Sequence, residues 1–274
     1  MRKIERCIIC NSENFQQYKN GKYGKDIYIC MNCKLVFTNP QPELEELKER
    51  YNSDYYSYMI SPEKKYRRTK LWQKRLSLVK NLASSGKILD VGCGDGSFLY
   101  YAKKEGYEVY GIEISEFAAK YAKEKYGLTV LNCTLESTDF KNNYFDVITF
   151  WHTLEHLNQP DLAIKKAHDL LKPEGFLVVA VPNINDIIGQ KFFWLLHRQY
   201  HKLYTPESIE PHLYHFSSTT LKLLLMKCGF KKINIKCDFA QVDPYWRMIE
   251  KLSFYFSKLS CKDYYLAILT ISQK

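Results

Sequence analysis

Long hydrophobic runs, an apolar leader and low-complexity stretches are all missing from this sequence of 274 residues. No run approaches the roughly 18 apolar residues that a membrane-spanning helix needs, so we expect no membrane partner. The basic start, residues 1–6, leads into Cys7 and Cys10 without the apolar segment of a signal peptide, which predicts a cytoplasmic protein. A composition of 46% hydrophobic and 26% charged residues excludes a disordered or fibrous chain, and the length allows one large domain with a small module.

Acidic residues are fewer than basic residues, 30 against 40, which gives a formal net charge of +10. The excess lies mainly in residues 1–80, which carry 17 basic and 9 acidic side chains. This asymmetry suggests an anionic partner such as a nucleotide-linked substrate or RNA. A solvated basic surface also explains it, and we favour that interpretation because runs of charge usually lie at the surface.

The cysteines argue against a disulfide framework, because the sequence has no secretory signal. Two C-x2-C pairs, Cys7 with Cys10 and Cys30 with Cys33, are separated by 19 residues, which is the spacing of a four-cysteine zinc site. Alternating polar and aromatic residues between the pairs are typical of a small zinc ribbon. A module of this size, residues 1–40, cannot build its own core, so we predict one structural zinc ion that supplies its folding energy.

Residues 41–84 are predicted to form a helical linker or cap between the ribbon and the main domain. A short helix is expected over Glu43–Tyr51, and a basic amphipathic helix over residues 63–82, where apolar positions recur at helical spacing. Basic residues interleaved with Tyr66 and Trp72 could bind RNA through phosphate contacts and stacking. We favour a helix face that bridges the ribbon and the main domain. The basic residues concerned are Lys64, Lys65, Arg67, Arg68, Lys70, Lys74, Arg75 and Lys80.

Strands and helices alternate from residue 87 onwards, which predicts an α/β fold with a parallel sheet covered on both faces. We place this domain at residues 85–274, with a long irregular insertion at residues 183–218. The predicted strands are Lys87–Val91, Tyr107–Ile114, Leu128–Leu131, Tyr144–Trp151, Gly175–Val181, Lys231–Phe239 and Tyr264–Ser272. The predicted helices are Phe98–Glu105, Glu116–Tyr126, Asp161–Leu171 and Thr219–Cys228.

A glycine-rich loop, DVGCGDGSF at residues 90–98, joins the first predicted strand to the first predicted helix. Its glycines allow a sharp turn and a close approach to a ligand at the carboxyl end of the sheet. A dinucleotide fingerprint would have glycine where Ser97 stands, and the acidic residues of the loop suit a zwitterionic or cationic ligand better than a pyrophosphate. Glu113 ends the second predicted strand 23 residues after Asp90, where it can accept hydrogen bonds from ribose hydroxyls. The loop and Glu113 together predict a nucleoside ligand.

The segments ILDVGCGDGSF, VYGIEIS, YFDVITFWHTLEHL and LLKPEGFLVVAVPN resemble the successive motifs of class I S-adenosylmethionine-dependent methyltransferases. The resemblance covers roughly residues 85–272. It is nearest to ubiquinone-biosynthesis-like O-methyltransferases that carry an N-terminal four-cysteine ribbon. It implies a Rossmann-like, mostly parallel sheet of seven strands with helices on both faces, an antiparallel last strand, and S-adenosylmethionine as the cofactor.

The resemblance also implies which residues contact that cofactor. Asp90 and the glycine loop would hold the methionine part, Glu113 the ribose, and the Cys133–Glu136 turn the adenine, while the backbone at Phe150–His152 would face the sulfonium. The predicted cofactor-binding residues are Asp90, Gly92, Cys93, Gly94, Gly96, Phe98, Glu113, Ile114, Thr134, Leu135, Glu136, Phe150, Trp151 and His152.

Methyl transfer requires an aligned acceptor and, for a hydroxyl or an acidic carbon, a base. We predict His152 and His212 as catalytic residues, because both follow strands whose carboxyl ends meet at one edge of the sheet. His152, Glu155 and His156 have the spacing of one helix face. Some related quinone and RNA 3′-end methyltransferases hold a divalent ion with E-x-x-E-H at this place. Here a histidine replaces the first glutamate, and hard cations prefer oxygen, so we favour His152 as a wall residue or base.

Two further segments are rich in apolar and aromatic residues. Residues 183–218 are predicted to form a substrate wall or lid, or a hydrophobic clamp that packs the ribbon onto the main domain. The segment Pro244–Leu259 predicts a core or dimer contact. It places at helical spacing Trp246, Ile249, Leu252, Phe256 and Leu259.

These patterns predict methyl transfer to a small biosynthetic intermediate, either sugar-nucleotide-like or quinone-like. One alternative is an RNA methyltransferase that grips RNA with the ribbon and the basic helix. The N-P-P-Y or D-P-P-Y motif of amino-base methylation is absent after the fourth predicted strand. Another alternative is a non-catalytic S-adenosylmethionine-binding protein. The oligomeric state is left open by the sequence.

Overall fold

The computed structural model describes residues 1–54, 56, 62–205, 207, 208, 210–240 and 244–274, with only the backbone described at residues 62–67 and 244. The predicted basic and aromatic side chains at positions 64–67 therefore lie outside the described residues. The strands are β1 (Phe15–Gln17), β2 (Ile27–Cys30), β3 (Val36–Thr38), β4 (Lys87–Val91), β5 (Glu108–Ile112), β6 (Thr129–Leu131), β7 (Phe145–Trp151), β8 (Leu171–Pro182), β9 (Tyr214–His215), β10 (Lys232–Cys237) and β11 (Ala267–Gln273).

The helices that position the site and the surfaces discussed below belong to the same chain order. They are α1 (Leu44–Arg50), α2 (Pro62–Leu82), α3 (Ser97–Lys104), α4 (Glu116–Tyr126), α5 (Pro160–Leu170), α6 (Ile187–His197), α7 (Ser218–Lys227) and α8 (Pro244–Ser260). Within the described residues, no helix is long and apolar enough to cross a bilayer.

The main sheet has seven strands in the order β10-β11-β8-β7-β4-β5-β6. Neighbouring strands from β8 to β6 are parallel, whereas β11 is antiparallel to both β10 and β8. This confirms the predicted Rossmann-like sheet with its antiparallel last strand. From β4 the chain first builds outward to β5 and β6, and then returns to add β7 on the other side, which creates a ligand-binding crevice at the carboxyl end of β4.

The central strands are apolar along almost their whole length because helices cover both faces of the sheet. Ile88 and Leu89 of β4, and Val147 and Ile148 of β7, are fully buried. One buried cluster joins these strands to α5 and α7, and a second joins the other face to α2, α3 and α4. The core thus holds the carboxyl ends of β4, β5 and β7 in a fixed arrangement.

A second, smaller sheet has the order β1-β2-β3-β9. The first three strands come from the cysteine-rich segment, while β9 comes from the insertion and pairs Tyr214 with Phe37. Tyr214 and Phe37 are both buried in a cluster that continues into the main domain. The insertion therefore packs the cysteine-rich segment onto the main domain, as the clamp interpretation predicts.

The structure corrects three local predictions. The segment 183–218 is not irregular throughout, because it contains α6 and β9. The residues after β7 form a 3₁₀ turn, Leu154–His156, instead of the α-helix face predicted for the histidine-glutamate motif. For the predicted core or dimer contact of α8, the core alternative holds for Ile249 but is wrong for Leu252, Phe256 and Leu259, which are exposed, and the dimer alternative stays a prediction.

Candidate functional site

A cavity of about 700 Å³ lies at the carboxyl ends of β4, β5 and β7. One wall consists of the glycine loop after β4, the residues after β5 and the turn after β6. Further lining residues come from α1, from α2, and from Tyr51 and Tyr56 between these helices. This is the edge at which open α/β sheets bind their ligands.

The glycine loop forms the floor of the cavity in a backbone conformation that favours glycine. Gly92 and Gly94 have φ values of 70° and 55°. A Cβ at Gly92 would lie 2.4 Å from Cγ2 of Thr153, so only glycine fits there. A Cβ at Gly94 would meet nothing nearer than the Tyr56 ring at 3.7 Å. A ligand can therefore approach the backbone closely at Gly94.

Glu113 follows β5 directly and is buried next to the glycine loop. One carboxylate oxygen accepts the Gly94 N–H at 2.8 Å, and the other accepts the Ser115 N–H at 2.9 Å. Burial raises the pKa of this carboxyl, while these N–H groups and the Tyr56 hydroxyl lower it. A carboxylate has about four lone-pair sites, so with these three donors bound Glu113 can still accept one hydrogen bond from a hydroxyl in the cavity.

The two acidic residues of the loop differ in their surroundings. Asp90 is buried, accepts a hydrogen bond from the Thr149 hydroxyl at 2.6 Å, and has a pKa that burial raises to about 7. Asp95 accepts hydrogen bonds from Ser97 and forms an ion pair with Arg68 at 3.1 Å. The negative charge of Asp95 is therefore balanced by Arg68 within the protein. A cation in the cavity would instead favour the charged form of Asp90.

Helix α2 supplies a part of the site that the sequence analysis missed. Arg75 is buried, and its guanidinium lies 4.5 Å from the Trp151 ring centroid and 5.0 Å from that of Trp72. It forms an ion pair with Asp238, which follows β10, at 3.2 Å. A signal for Arg75 exists in the sequence, because it lies three residues after Trp72 on the apolar stripe of α2.

His152 lines the cavity at the end of β7. Its φ value is 54°, and its N–H donates to the carbonyl of Ala180 at 2.9 Å. The side chain lies between two carboxylates, with Nε2 3.4 Å from Asp238 and Nδ1 3.7 Å from Glu155. Burial disfavours the charged imidazolium, but the interactions with Asp238 and then Glu155 outweigh it and raise the pKa of His152 to about 9. The imidazole is therefore mostly protonated at neutral pH.

His212 lies behind the cavity wall, in a cluster with Glu155 and His156. The ring centroids of His156 and His212 are 4.8 Å apart. Each of the three side chains has one potential metal-ligand atom within 4.8 Å of those of the other two. Both carboxylate oxygens of the buried Glu155 have no hydrogen-bond partner among the described residues. His156 donates from Nδ1 to the carbonyl of Pro211 at 3.0 Å. Burial lowers the pKa of His212 to about 4, so its imidazole is neutral at pH 7, and with His156 and the Glu155 carboxylate it forms a ligand set that could hold a divalent transition metal.

The predicted cofactor-binding residues fall into two groups. Those that line the cavity are Gly92, Cys93, Gly94, Glu113, Ile114, Thr134, Leu135, Glu136, Trp151 and His152. Those that lie behind its lining are Asp90, Gly96, Phe98 and Phe150. Phe98 packs against Trp72 and Trp151, with ring centroids 5.9 and 5.6 Å away, and so supports the wall from behind.

Helix α2 uses its described basic residues for contacts within the chain. Arg68 and Arg75 form the ion pairs given above, Lys74 donates to the carbonyl of Phe239 at 3.0 Å, and Lys80 pairs with Glu105 at 2.6 Å. These contacts hold α2 against the main domain. They match the bridging interpretation of this helix better than an exposed grip for RNA.

The four predicted zinc ligands meet at one point in the small sheet. The sulfur of Cys7 lies 3.4 Å from that of Cys33, and the sulfur of Cys10 lies 3.5 Å from that of Cys30. All four sulfurs lie within 4.8 Å of one another, and a zinc tetrahedron with Zn–S bonds of about 2.3 Å needs sulfur separations of about 3.8 Å. The contact with Cys33 lowers the pKa of Cys7 to about 5, and the same contact raises the pKa of Cys33, so these two sulfurs share one proton without a metal. A bound zinc ion would displace the thiol protons. The arrangement fits a structural zinc ion.

The fold defines a class of α/β protein with a Rossmann-like sheet and a cavity at the carboxyl ends of its central strands. A family model described as a methyltransferase domain matches residues 64–235, which is more than half of the chain. The chain belongs to this methyltransferase domain family.

Two individual relatives and one solved structure are similar to this chain. The chain is 30% identical over 154 residues to a ubiquinone biosynthesis O-methyltransferase of Rhodopseudomonas palustris, covering 51% of this chain and 59% of the relative. It is 32% identical over 142 residues to an uncharacterized protein of Methanocaldococcus jannaschii, covering 52% of this chain and 53% of that protein. The chain thus spans little more than half the length of these two relatives. The crystal structure of a SAM-dependent methyltransferase from Archaeoglobus fulgidus shares the fold, with a TM-score of 0.55, 20% identity, and coverage of 80% of this chain and 99% of that chain.

Proposed function

We propose that this protein transfers a methyl group from S-adenosylmethionine to a small biosynthetic intermediate with a sugar-nucleotide-like or quinone-like acceptor. The observation that carries the proposal is the position of Glu113 and the Gly94 backbone on one wall of a cavity at the carboxyl edge of the sheet. The family assignment and the similarity to a ubiquinone biosynthesis O-methyltransferase agree with it.

The chain's own residues bind and orient the two reactants in this mechanism. Glu113 would accept a ribose hydroxyl, the backbone at Gly94 would leave room for the methionine part, and Leu135 would pack on the adenine. Asp90 favours a cationic ligand from beneath the loop. The cofactor supplies an activated methyl group on a sulfonium, so most of the catalytic work is alignment of the acceptor and exclusion of water.

His152 stands where the acceptor meets the cofactor and is our candidate for handling the acceptor proton. Its placement between Glu155 and Asp238 stabilises the imidazolium, so the free base is a minor form at pH 7. Deprotonation of the acceptor by His152 should therefore become more efficient as the pH rises towards 9. His212 lies behind the cavity wall next to His156. We propose that it assists this proton transfer indirectly, through the cluster that it forms with His156 and Glu155.

The outer part of the cavity supports a small acceptor. Leu44 and Leu47 of α1 offer an apolar surface, while Asn158, Gln159 and Glu210 add hydrogen-bonding groups. An enclosed site with both properties suits one ring with polar substituents, as in a quinone-like or sugar-like molecule. Among the residues that the structure describes, the lining does not form the open basic groove that a nucleic-acid strand requires.

A methyl-transfer assay with labelled S-adenosylmethionine tests the proposal. The acceptors should include a catechol, a quinol and a nucleotide sugar, with a structured RNA as the alternative. We expect label in a small acceptor and none in RNA. Label in RNA would favour the RNA methyltransferase alternative. Tight binding of S-adenosylmethionine without turnover on any acceptor would favour the non-catalytic alternative.

We further propose that Cys7, Cys10, Cys30 and Cys33 hold one structural zinc ion. All four side chains are ligands, so no position is left for a reacting water. The small sheet has a buried cluster of only a few apolar residues of its own. A bound ion would link the turn at Cys7 and Cys10 to the turn at Cys30 and Cys33 and so stabilise this sheet.

A further inference from the structure

Helix α8 exposes most of its large apolar side chains. The residues it buries are Ile249, Glu250, Ser253 and Ser257, three of which are polar. The hydroxyls of Ser253 and Ser257 donate hydrogen bonds to backbone carbonyls. The Glu250 carboxylate accepts a hydrogen bond from the N–H of Ala240 at 2.9 Å. The exposed apolar residues are Tyr245, Met248, Leu252, Tyr255, Phe256 and Leu259. A surface helix normally has the opposite arrangement, so this exposed stripe requires a partner.

The exposed apolar residues form one continuous sector of the helix. At about 100° per residue, they cover an arc of about 100° on the helix circumference. Leu259 is 86% exposed and Tyr255 is 62% exposed. Helix α6 extends the same surface, because Phe192 packs on Tyr245 with ring centroids 5.1 Å apart. It adds the exposed Trp194, Leu195 and Leu196.

All charged side chains that α8 exposes are positive. Arg247, Lys251 and Lys258 lie exposed in a narrow sector next to the apolar arc. The only acidic residue of α8 is the buried Glu250, and α6 has none. In a symmetric contact between two copies, this cationic sector would find no acidic residue on the facing α6 or α8. An anionic lipid surface complements both the apolar stripe and the cationic sector.

We propose that α6 and α8 form a docking surface for an anionic lipid bilayer. The apolar side chains of α8 would enter the boundary between headgroups and acyl chains, and its three basic residues would contact anionic headgroups. This is the geometry of an amphipathic helix that lies in the plane of a membrane interface. The proposal does not depend on methyl transfer. It replaces the expectation of no membrane partner, which rested only on the lack of a run long enough to span a bilayer.

Vesicle flotation with the full-length, zinc-loaded protein tests this proposal. The two lipid compositions are pure phosphatidylcholine and a 70:30 mixture of phosphatidylcholine with phosphatidylglycerol. We expect binding to the anionic vesicles at least about 10-fold tighter than to the neutral ones, because each basic residue near an anionic surface contributes about fivefold. Raising the salt to about 0.5 M should remove most of that difference.

Two double variants probe the two parts of the surface. Leu252→Ser with Phe256→Ser should weaken binding at least about 30-fold, because two apolar side chains no longer leave water. Lys251→Glu with Lys258→Glu should weaken it about 25-fold or more. All four positions are exposed, so the far-UV circular dichroism spectrum and Tm should stay close to the wild-type values.

Matched controls make the same changes elsewhere on the surface. Leu162→Ser with Met226→Ser removes exposed apolar residues of α5 and α7, and Lys120→Glu with Lys123→Glu reverses charges on α4 near the opposite edge of the sheet. Both controls should bind anionic vesicles within about threefold of wild type.

Three outcomes would overturn the proposal. One is a wild-type protein that does not float with anionic vesicles. Another is equal binding by the α8 variants and the controls. The third is a wild-type dimer that the Leu252→Ser, Phe256→Ser variant converts to a monomer and that does not bind vesicles, which would identify a second copy of the chain as the partner.

Discussion

Replacement of Glu113 by glutamine is the sharpest test of the proposed cofactor site. The change keeps the shape of the side chain but replaces one carboxylate oxygen by an NH₂ group and removes the charge. In the wild-type protein the two oxygens accept the N–H groups of Gly94 and Ser115 at 2.8 and 2.9 Å. In Glu113→Gln one of these N–H groups would face another donor, and one ribose hydroxyl would lose its charged acceptor.

The size of the expected effect follows from these bonds. A hydrogen bond to a charged group contributes about 1.5–3 kcal/mol, so loss of one such bond to the ribose should raise the Kd for S-adenosylmethionine about 10- to 150-fold. The unpaired N–H should also lower the free energy of unfolding by about 1–3 kcal/mol. Isothermal titration calorimetry measures the first effect, and thermal unfolding without ligand measures the second. Glu116→Gln, which removes an exposed carboxylate of α4, should leave the Kd within about threefold of wild type.

A matched glycine pair separates the binding effect from backbone strain. Gly94 and Gly106 both have positive φ values, 55° and 88°, and both have room for a Cβ. Alanine at either position should destabilise the fold by about 1–2 kcal/mol, but only Gly94→Ala places a methyl group against the cavity. If Glu113→Gln binds S-adenosylmethionine with wild-type affinity, or if the two glycine variants have equal Kd values, the cofactor site lies elsewhere.

Further predictions concern the metal and the histidines. Metal analysis of the wild-type protein should give one tightly bound zinc per chain, whereas Cys30→Ser should lose it and become protease-sensitive within residues 1–40; full zinc content in that variant would contradict the ligand assignment. With an acceptor in hand, kcat should rise with pH towards about 9, because the raised pKa of His152 means that its free base is formed only as the pH approaches that value. His152→Asn should lower kcat about 10²- to 10⁴-fold and abolish that pH dependence, with little change in cofactor Kd; near-full turnover would exclude the general-base role. His212→Gln should have a smaller effect on kcat, since His212 lies behind the cavity lining, and a loss as large as that of His152→Asn would mean that it contacts the acceptor.

The features determined by the sequence alone are local. The C-x2-C pairs, the glycine loop, and the alternation of apolar strands with helices depend on spacings of a few residues, and the side-chain period of each element is set by backbone geometry. The order of elements then restricted the sheet to one with right-handed crossovers, and the resemblance supplied the antiparallel last strand. Gly94 follows the first predicted strand and Glu113 lies at the end of the second, so both were expected at one edge of the sheet. In the structure the Gly94 N–H donates to a Glu113 carboxylate oxygen at 2.8 Å.

Only the tertiary structure decided which residues meet across long stretches of the chain. Arg75 had been grouped with the surface charges of α2, yet it is buried against Asp238, which lies 163 residues further on. The pairing of β3 with β9 and the meeting of His212 with His156 also join segments whose contact no local periodicity encodes. Helix α8 shows the same limit, because its apolar spacing is correct for a helix but does not say which face the rest of the chain will cover. In the folded chain Glu250, Ser253 and Ser257 are buried with their side chains hydrogen-bonded, so the apolar stripe on the other side of α8 is exposed.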